Sequence, residues 1–167
     1  MRRGLIRLPF VSGPLPSGAA LLAIRLVTGP MLAYHGYRKL DAGVGKFVAT
    51  VARDGFPLPE LLARATIVIE LVGGICIAVG LLTRLWGALV TLQFALIITQ
   101  VKWDVGLLGP PGRGGGFELD LLYAVTAAAV VIAGPGLVAL DHRLGLEVDL
   151  SPDAAAVRRE SRTHAGL

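Results

Sequence analysis

From Ala65 to Leu82 the chain reads ATIVIELVGGICIAVGLL, apolar apart from a single carboxylate, Glu70. With the flanking Glu60–Leu62 and Thr83–Leu85, this run reaches the roughly 20 residues a helix needs to cross a hydrocarbon core about 30 Å thick. Lipid offers no partner to unpaired backbone groups, so a run of this kind folds as a spanning helix. A carboxylate at that depth costs about 3 kcal/mol on insertion scales unless it is paired or protonated. Glu70 is therefore the first candidate functional residue.

Composition supports lipid as the solvent. Charged residues make up 17% of the chain, against about 25% in soluble domains, and the mean hydropathy is +0.68. The net charge of +4 comes from basic residues placed mainly at the termini and in predicted loops. That pattern suits anionic headgroups better than a nucleic-acid duplex, so a bilayer is the expected partner and nucleic acid is not. Cys76 is the single cysteine, which excludes an internal disulfide and a dithiol redox pair.

Residues 1–18 hold three arginines and three prolines but no sustained apolar core and no small-residue cleavage site, so an uncleaved cytoplasmic segment is expected. Span one is predicted over Ala19–Tyr37 and contains Arg25 and a bending Gly29-Pro30. Between Arg38 and Pro59, the residues Val44, Phe47, Val48 and Val51 share one helical face opposite Lys46, Thr50, Arg53 and Asp54, the pattern of a short interfacial helix. Span two is predicted over Leu61–Leu82 and span three over Leu85–Val101, with Trp86 and Trp103 as interfacial anchors. After a Gly/Pro loop at Gly106–Gly116, span four runs Glu118–Val138. The expected architecture is an all-α integral membrane four-helix bundle over residues 19–140 with a polar tail at 141–167. A narrow excess of lysine and arginine near one set of span ends puts both termini in the cytoplasm of a multi-pass inner (plasma) membrane protein.

Several marks fall in a characteristic order: Arg25 early in span one, His35-Gly36-x-x-Lys39-Leu40, Glu70-Leu71-x-Gly73-Gly74, Gly80-Leu81-Leu82-Thr83-Arg84, and Gly134-Pro135-Gly136 followed by Asp141. Together they resemble the DoxX family of small bacterial membrane proteins across roughly residues 20–145. The resemblance implies a four-helix membrane bundle. It also implies a link to redox chemistry: quinone-coupled thiosulfate oxidation in some relatives, membrane partnership with superoxide dismutase and a sulfurtransferase in others.

Helical rise places Arg25 about 10 Å, Gln93 about 12 Å and Glu70 about 18 Å from the cytoplasmic boundary. An Arg25–Glu70 pair with Gln93 beside it is the expected arrangement, since each is costly in lipid alone. Gly73 and Gly74 lie on the face of Glu70 and would admit a close neighbour. Gln100 continues the Gln93 stripe, and Asp120 and Tyr123 reach a similar depth from span four. Two readings stay open. One is a pocket holding a quinone head group through Arg25, Gln93, Tyr34 and His35, with Glu70 taking a proton and Lys39 at the mouth. The other is a buried salt bridge that fixes helix register.

No metal site is expected, and paired-histidine haem ligation is not, because only His35 lies near a span while His142 and His164 fall in the tail. The expected role is a non-catalytic or quinone-binding membrane subunit of an oxidoreductase complex, docking a soluble redox enzyme at the cytoplasmic face. The alternatives are a carrier of protons or small molecules using Glu70, which would require a homo-oligomer, and a ligand-free assembly factor.

Overall fold

The computed structural model describes residues 17–110, 115–136 and 138–146, and every regular element among them is helical. The helices are α1 (Ser17–Asp41), α2 (Val44–Arg53), α3 (Pro59–Val79), α4 (Thr83–Ile97, prolonged by a π-helical turn at Ile98–Lys102), α5 (Glu118–Ala133) and the short α6 (Leu140–Arg143). The basic N-terminal residues and the tail beyond Leu146 lie outside the described residues.

Local chemistry explains most boundaries. Pro59 opens α3 at a position where the missing N–H is no loss. The helix closes on Gly80 at φ 76°, with the Gly80 N–H donating to Ile77 O (3.2 Å) and the Leu81 N–H to Cys76 O (2.8 Å). This is the glycine-terminated double bond that satisfies the last carbonyls of a helix. α1 runs straight through Pro30 and four residues beyond the expected end at Tyr37. α5 ends at Ala133 rather than Val138, because Gly134 turns the chain at φ 86° and Pro135 follows.

Among the described residues, two helices are long and apolar enough to cross a membrane, Pro59–Val79 and Thr83–Lys102. α5 has 16 residues, about 24 Å of helix, and α1 carries Arg25, Arg38 and Lys39. α1 packs most closely on α3, α4 on α5, and α3 touches α2 and α4 as well. The α1–α3 seam is built on small residues: a Cβ on Gly74 would stand 2.5 Å from Ala33 N and 2.6 Å from Gly29 O. Gly36 meets the Leu71 backbone in the same way. Such contact lets two helices approach backbone to backbone, the usual means of association where lipid removes the hydrophobic drive.

The buried centre is Leu32, Ile77, Val90, Phe94, Tyr123, Ala124 and Ala127. The outward faces are apolar too, with Leu26, Ile75, Leu92, Val125 and Ile132 exposed. Helices apolar on every side are the mark of a lipid surround. Trp86, in the first turn of α4, is half-buried. Its ring packs where a Cβ on Gly73 would lie 2.7 Å from Cε3. Trp103 is exposed as expected, and its ring stacks on Phe117 at 6.2 Å.

Candidate functional site: two polar clusters at opposite ends of the helices

Arg25 and Glu70 do not meet. The α1 rise carries Arg25 to the C-terminal end of α3, where its Nε donates to Ile77 O at 3.0 Å and its Nη2 to Ala78 O at 3.3 Å and Val138 O at 3.4 Å. Nη1 donates to Pro135 O. Ile77 stands seven residues from Glu70, about 10 Å along the helix. A guanidinium presents a fork of five donors, and here the fork holds the carbonyls at the end of α3 and those of the returning 135–138 segment. The cation also sits at the negative end of the α3 dipole.

The same end contains a carboxylate that sequence reasoning assigned to the polar tail. Asp141 is buried, and its Oδ1 accepts from Leu82 N (2.6 Å) while Oδ2 accepts from Thr83 N (2.9 Å) and Thr83 Oγ1 (2.7 Å). Its own N–H donates to Gly80 O at 2.8 Å. Asp141 thus caps α4 from outside that helix, and it holds Leu82 in the left-handed region at φ 47°. That conformation costs a non-glycine residue about 1–3 kcal/mol and persists only where surroundings impose it. This end of the molecule is an architectural knot.

Glu70 has other partners. Lys39, from the last turn of α1, pairs with both carboxylate oxygens, and Gln93 Nε2 donates to Oε1 at 2.8 Å. Glu70 is 1% exposed and the Lys39 side chain 25%, so the charge pair reaches from the interior toward the rim. Lys39 Nζ also lies 4.9 Å from the ring centroid of Phe47 on α2, a cation–π contact that ties α2 to the cluster.

These groups line a cavity of about 640 Å³ between α2, α3, α4 and α5. Most of its wall is apolar, from Val51, Phe56, Leu62, Ile69, Leu92 and Ile97. A second ion pair, Lys102 Nζ to Asp120 Oδ2 at 2.5 Å, lines the same cavity. It depends on the π-helical turn. Widening the helix after Ile97 breaks the seven-residue register from Gln93, so Gln100 is exposed and Lys102 turns to α5 instead. Tyr123 stacks on Phe94 at 5.1 Å and meets the His35 ring edge-on at 5.7 Å. Two cavity-lining residues carry buried oxygen atoms with no partner, Gln93 (Oε1) and Tyr123 (Oη).

Of the residues singled out in the sequence, Glu70, Gln93, Lys39 and His35 converge on this cavity. Arg25 is at the other end, and Tyr34 is 58% exposed with its ring 6.5 Å from that of Tyr37. Lys39 takes the place beside Glu70 that was expected of Arg25. Its spacing of 31 residues from Glu70 carries no periodic signal, and the choice between two cations on one helix is made by how α1 slides on α3. Among the described residues no group of His, Cys, Asp or Glu is arranged to hold a metal.

Comparison with known proteins gives a consistent family. The DoxX family model matches residues 20–103. The chain is 30% identical over 122 residues to the Bacillus subtilis protein named "Putative oxidoreductase CatD", covering 72% of this chain and 83% of that one. It is 30% identical over 149 residues to an uncharacterized membrane protein of Mycobacterium tuberculosis, covering 83% and 86%. It is 28% identical over 125 residues to an uncharacterized protein of Haemophilus influenzae, covering 74% and 89%. No solved structure matches at a significant level.

Proposed function

Because the chain belongs to the DoxX family of membrane proteins, we propose that it is a quinone-binding membrane subunit of a redox complex, with the head group held in the cavity at Lys39, Glu70 and Gln93. The observation that carries this reading is the buried Lys39–Glu70–Gln93 cluster set in the wall of an otherwise apolar 640 Å³ cavity. Ligand sites combine this much apolar surface with a few convergent polar groups. An isoprenoid-tailed ring matches both parts, the tail on the apolar wall and the ring oxygens at the cluster. A homologue that bears an oxidoreductase name agrees with a redox setting.

In this reading α1, α3, α4 and α5 make four crossings, α2 lies in the interface, and both termini face the cytoplasm. The cavity then occupies the outer half of the inner membrane. Arg25 and Asp141 close the cytoplasmic half and take no part in binding. The docking surface for a soluble redox enzyme shifts accordingly: a partner that addresses the head group docks at the Lys102–Asp120 end rather than the cytoplasmic end expected from the basic termini.

Gentle purification followed by mass spectrometry of retained lipids tests the proposal. Quinone recovered with the wild-type protein and lost from Glu70→Gln and Lys39→Met is the expected result. Equal retention in all three proteins, or none in the wild type, overturns it.

A further inference from the structure

Part of the cavity's edge coincides with the outer surface of the helices. Its lining residues recur every three or four positions on α3 (Leu62, Thr66, Ile69) and on α4 (Leu89, Leu92, Leu96), so each helix offers one flank to the void. Leu92 and Leu96 also belong to the outward stripe of α4, and they are 58% and 44% exposed. That stripe runs beyond the cavity in Leu85, Ala88, Ala95 and Thr99, all exposed. A residue that borders a cavity and also faces outside marks its mouth. The void therefore opens sideways along the α3–α4 flank.

The chemistry of this opening differs from that of the rest of the wall. Near the α3–α4 turn the Trp86 ring fills the gap beside Gly73. Farther from the turn the two helices are tied by the Glu70–Gln93 bond, and the flank around it is apolar, with Thr66 as its one hydroxyl and no charge. The charged lining residues lie elsewhere. Glu70 is turned inward at 1% exposed and Lys39 reaches it from α1, while Asp54, Lys102 and Asp120 stand at helix ends. The seam between α1 and α5 is closed, because the His35 ring meets buried Tyr123 edge-on at 5.7 Å. An apolar opening beside a polar cluster suits the chain of an amphiphile, since a charged group passing it would lose its hydration without a partner.

We infer that the ligand is taken sideways from the bilayer, through an apolar port between α3 and α4 rimmed by Leu92 and Leu96, with its head at Lys39, Glu70 and Gln93 and its chain left among the surrounding acyl chains. This rests on the membrane-spanning, quinone-class reading above and adds the route and the residues that form the rim. What the port accommodates is the chain of the ligand, not its ring. A tryptophan at the rim overfills the port as an oversized side chain overfills a core, and the displaced chain lowers affinity about tenfold.

The test uses the full-length protein in lipid nanodiscs, with a benzoquinone bearing a short isoprenoid tail and the same ring with a methyl group in place of the tail. Calorimetric titration compares each variant with the wild type in identical nanodiscs, which cancels partition of the tail into lipid. Leu92→Trp and Leu96→Trp are each expected to weaken binding of the tailed ring about tenfold and to leave the tail-less ring within about threefold. Val125→Trp, on an exposed face of α5 away from the cavity lining, is expected to change neither. Rim variants that bind the tailed ring as the wild type does, or that weaken both rings alike, overturn the port and leave the quinone-class reading in place. An equal loss in Val125→Trp, or a wild type that binds the tail-less ring alone, does the same. Should neither rim variant fold, a diazirine carried on the tail decides in the wild type. Crosslinks within residues 62–69 and 89–96 support the port, and crosslinks confined to α1 or α5 overturn it. A wild type that binds neither ring overturns the quinone-class reading and this inference with it.

Discussion

Lys39 and Arg25 are both cations on α1, about 20 Å apart along the helix, and their surroundings give them different work. Lys39 neutralises Glu70, whereas Arg25 is wholly buried against backbone carbonyls. Removing one partner of a buried ion pair costs about 3–5 kcal/mol because the other charge stays behind. Lys39→Glu and Glu70→Lys should each destabilise by that order, and the double exchange should recover most of the loss in thermal unfolding in detergent. The Arg25/Glu70 exchange should recover nothing, since those residues make no contact that a swap can restore. Arg25→Met should lower stability by about 3 kcal/mol through its lost charge-assisted bonds while leaving quinone retention per folded molecule unchanged. Retention falling in step with that of Glu70→Gln would contradict the separation of the two clusters.

Elements meet through contacts that local sequence only partly announces. The Gly73-Gly74 pair in α3 signals a close approach, and both glycines are used, Gly74 against α1 and Gly73 against the Trp86 ring of α4. Gly74→Ile therefore drives a side chain into the α1 backbone and should cost about 3 kcal/mol, read as a lowered unfolding temperature and loss of monodispersity on size exclusion. The α3–α4 turn depends on Asp141, almost 60 residues further along the chain. Asp141→Ala leaves two N–H groups and one hydroxyl without an acceptor, at about 3 kcal/mol. A variant that unfolds within a degree of the wild type would show that the cap is dispensable. The π-helical turn belongs to this scale as well, because it reassigns the polar position from Gln100 to Lys102.

For the whole molecule, the apolar outward faces and the polar groups drawn inward describe a protein dissolved in lipid. The proposed four crossings place the loop near Leu108 and the helix end near Leu144 in opposite compartments; both residues are exposed. In a Cys76→Ser background, Leu108→Cys should react with an impermeant maleimide applied outside intact cells, and Leu144→Cys only after permeabilisation. Labelling of both from outside would overturn the four-crossing topology.

Membrane residence, helical class and the presence of polar residues buried among apolar helices were legible in the chain, because hydrophobic length and the cost of a charge in lipid are local properties. The amphipathic face of α2 and the close-packing role of Gly74 were legible for the same reason. Which cation answers Glu70 was not, nor was the burial of Asp141 or the pairing of Lys102 with Asp120. Those outcomes depend on how far one helix slides along another, on one extra residue in a helical turn, and on a chain that folds back after α5. Only the packed structure sets these distances, since hydrogen bonds select partners over a few ångströms while the sequence separates them by tens of residues.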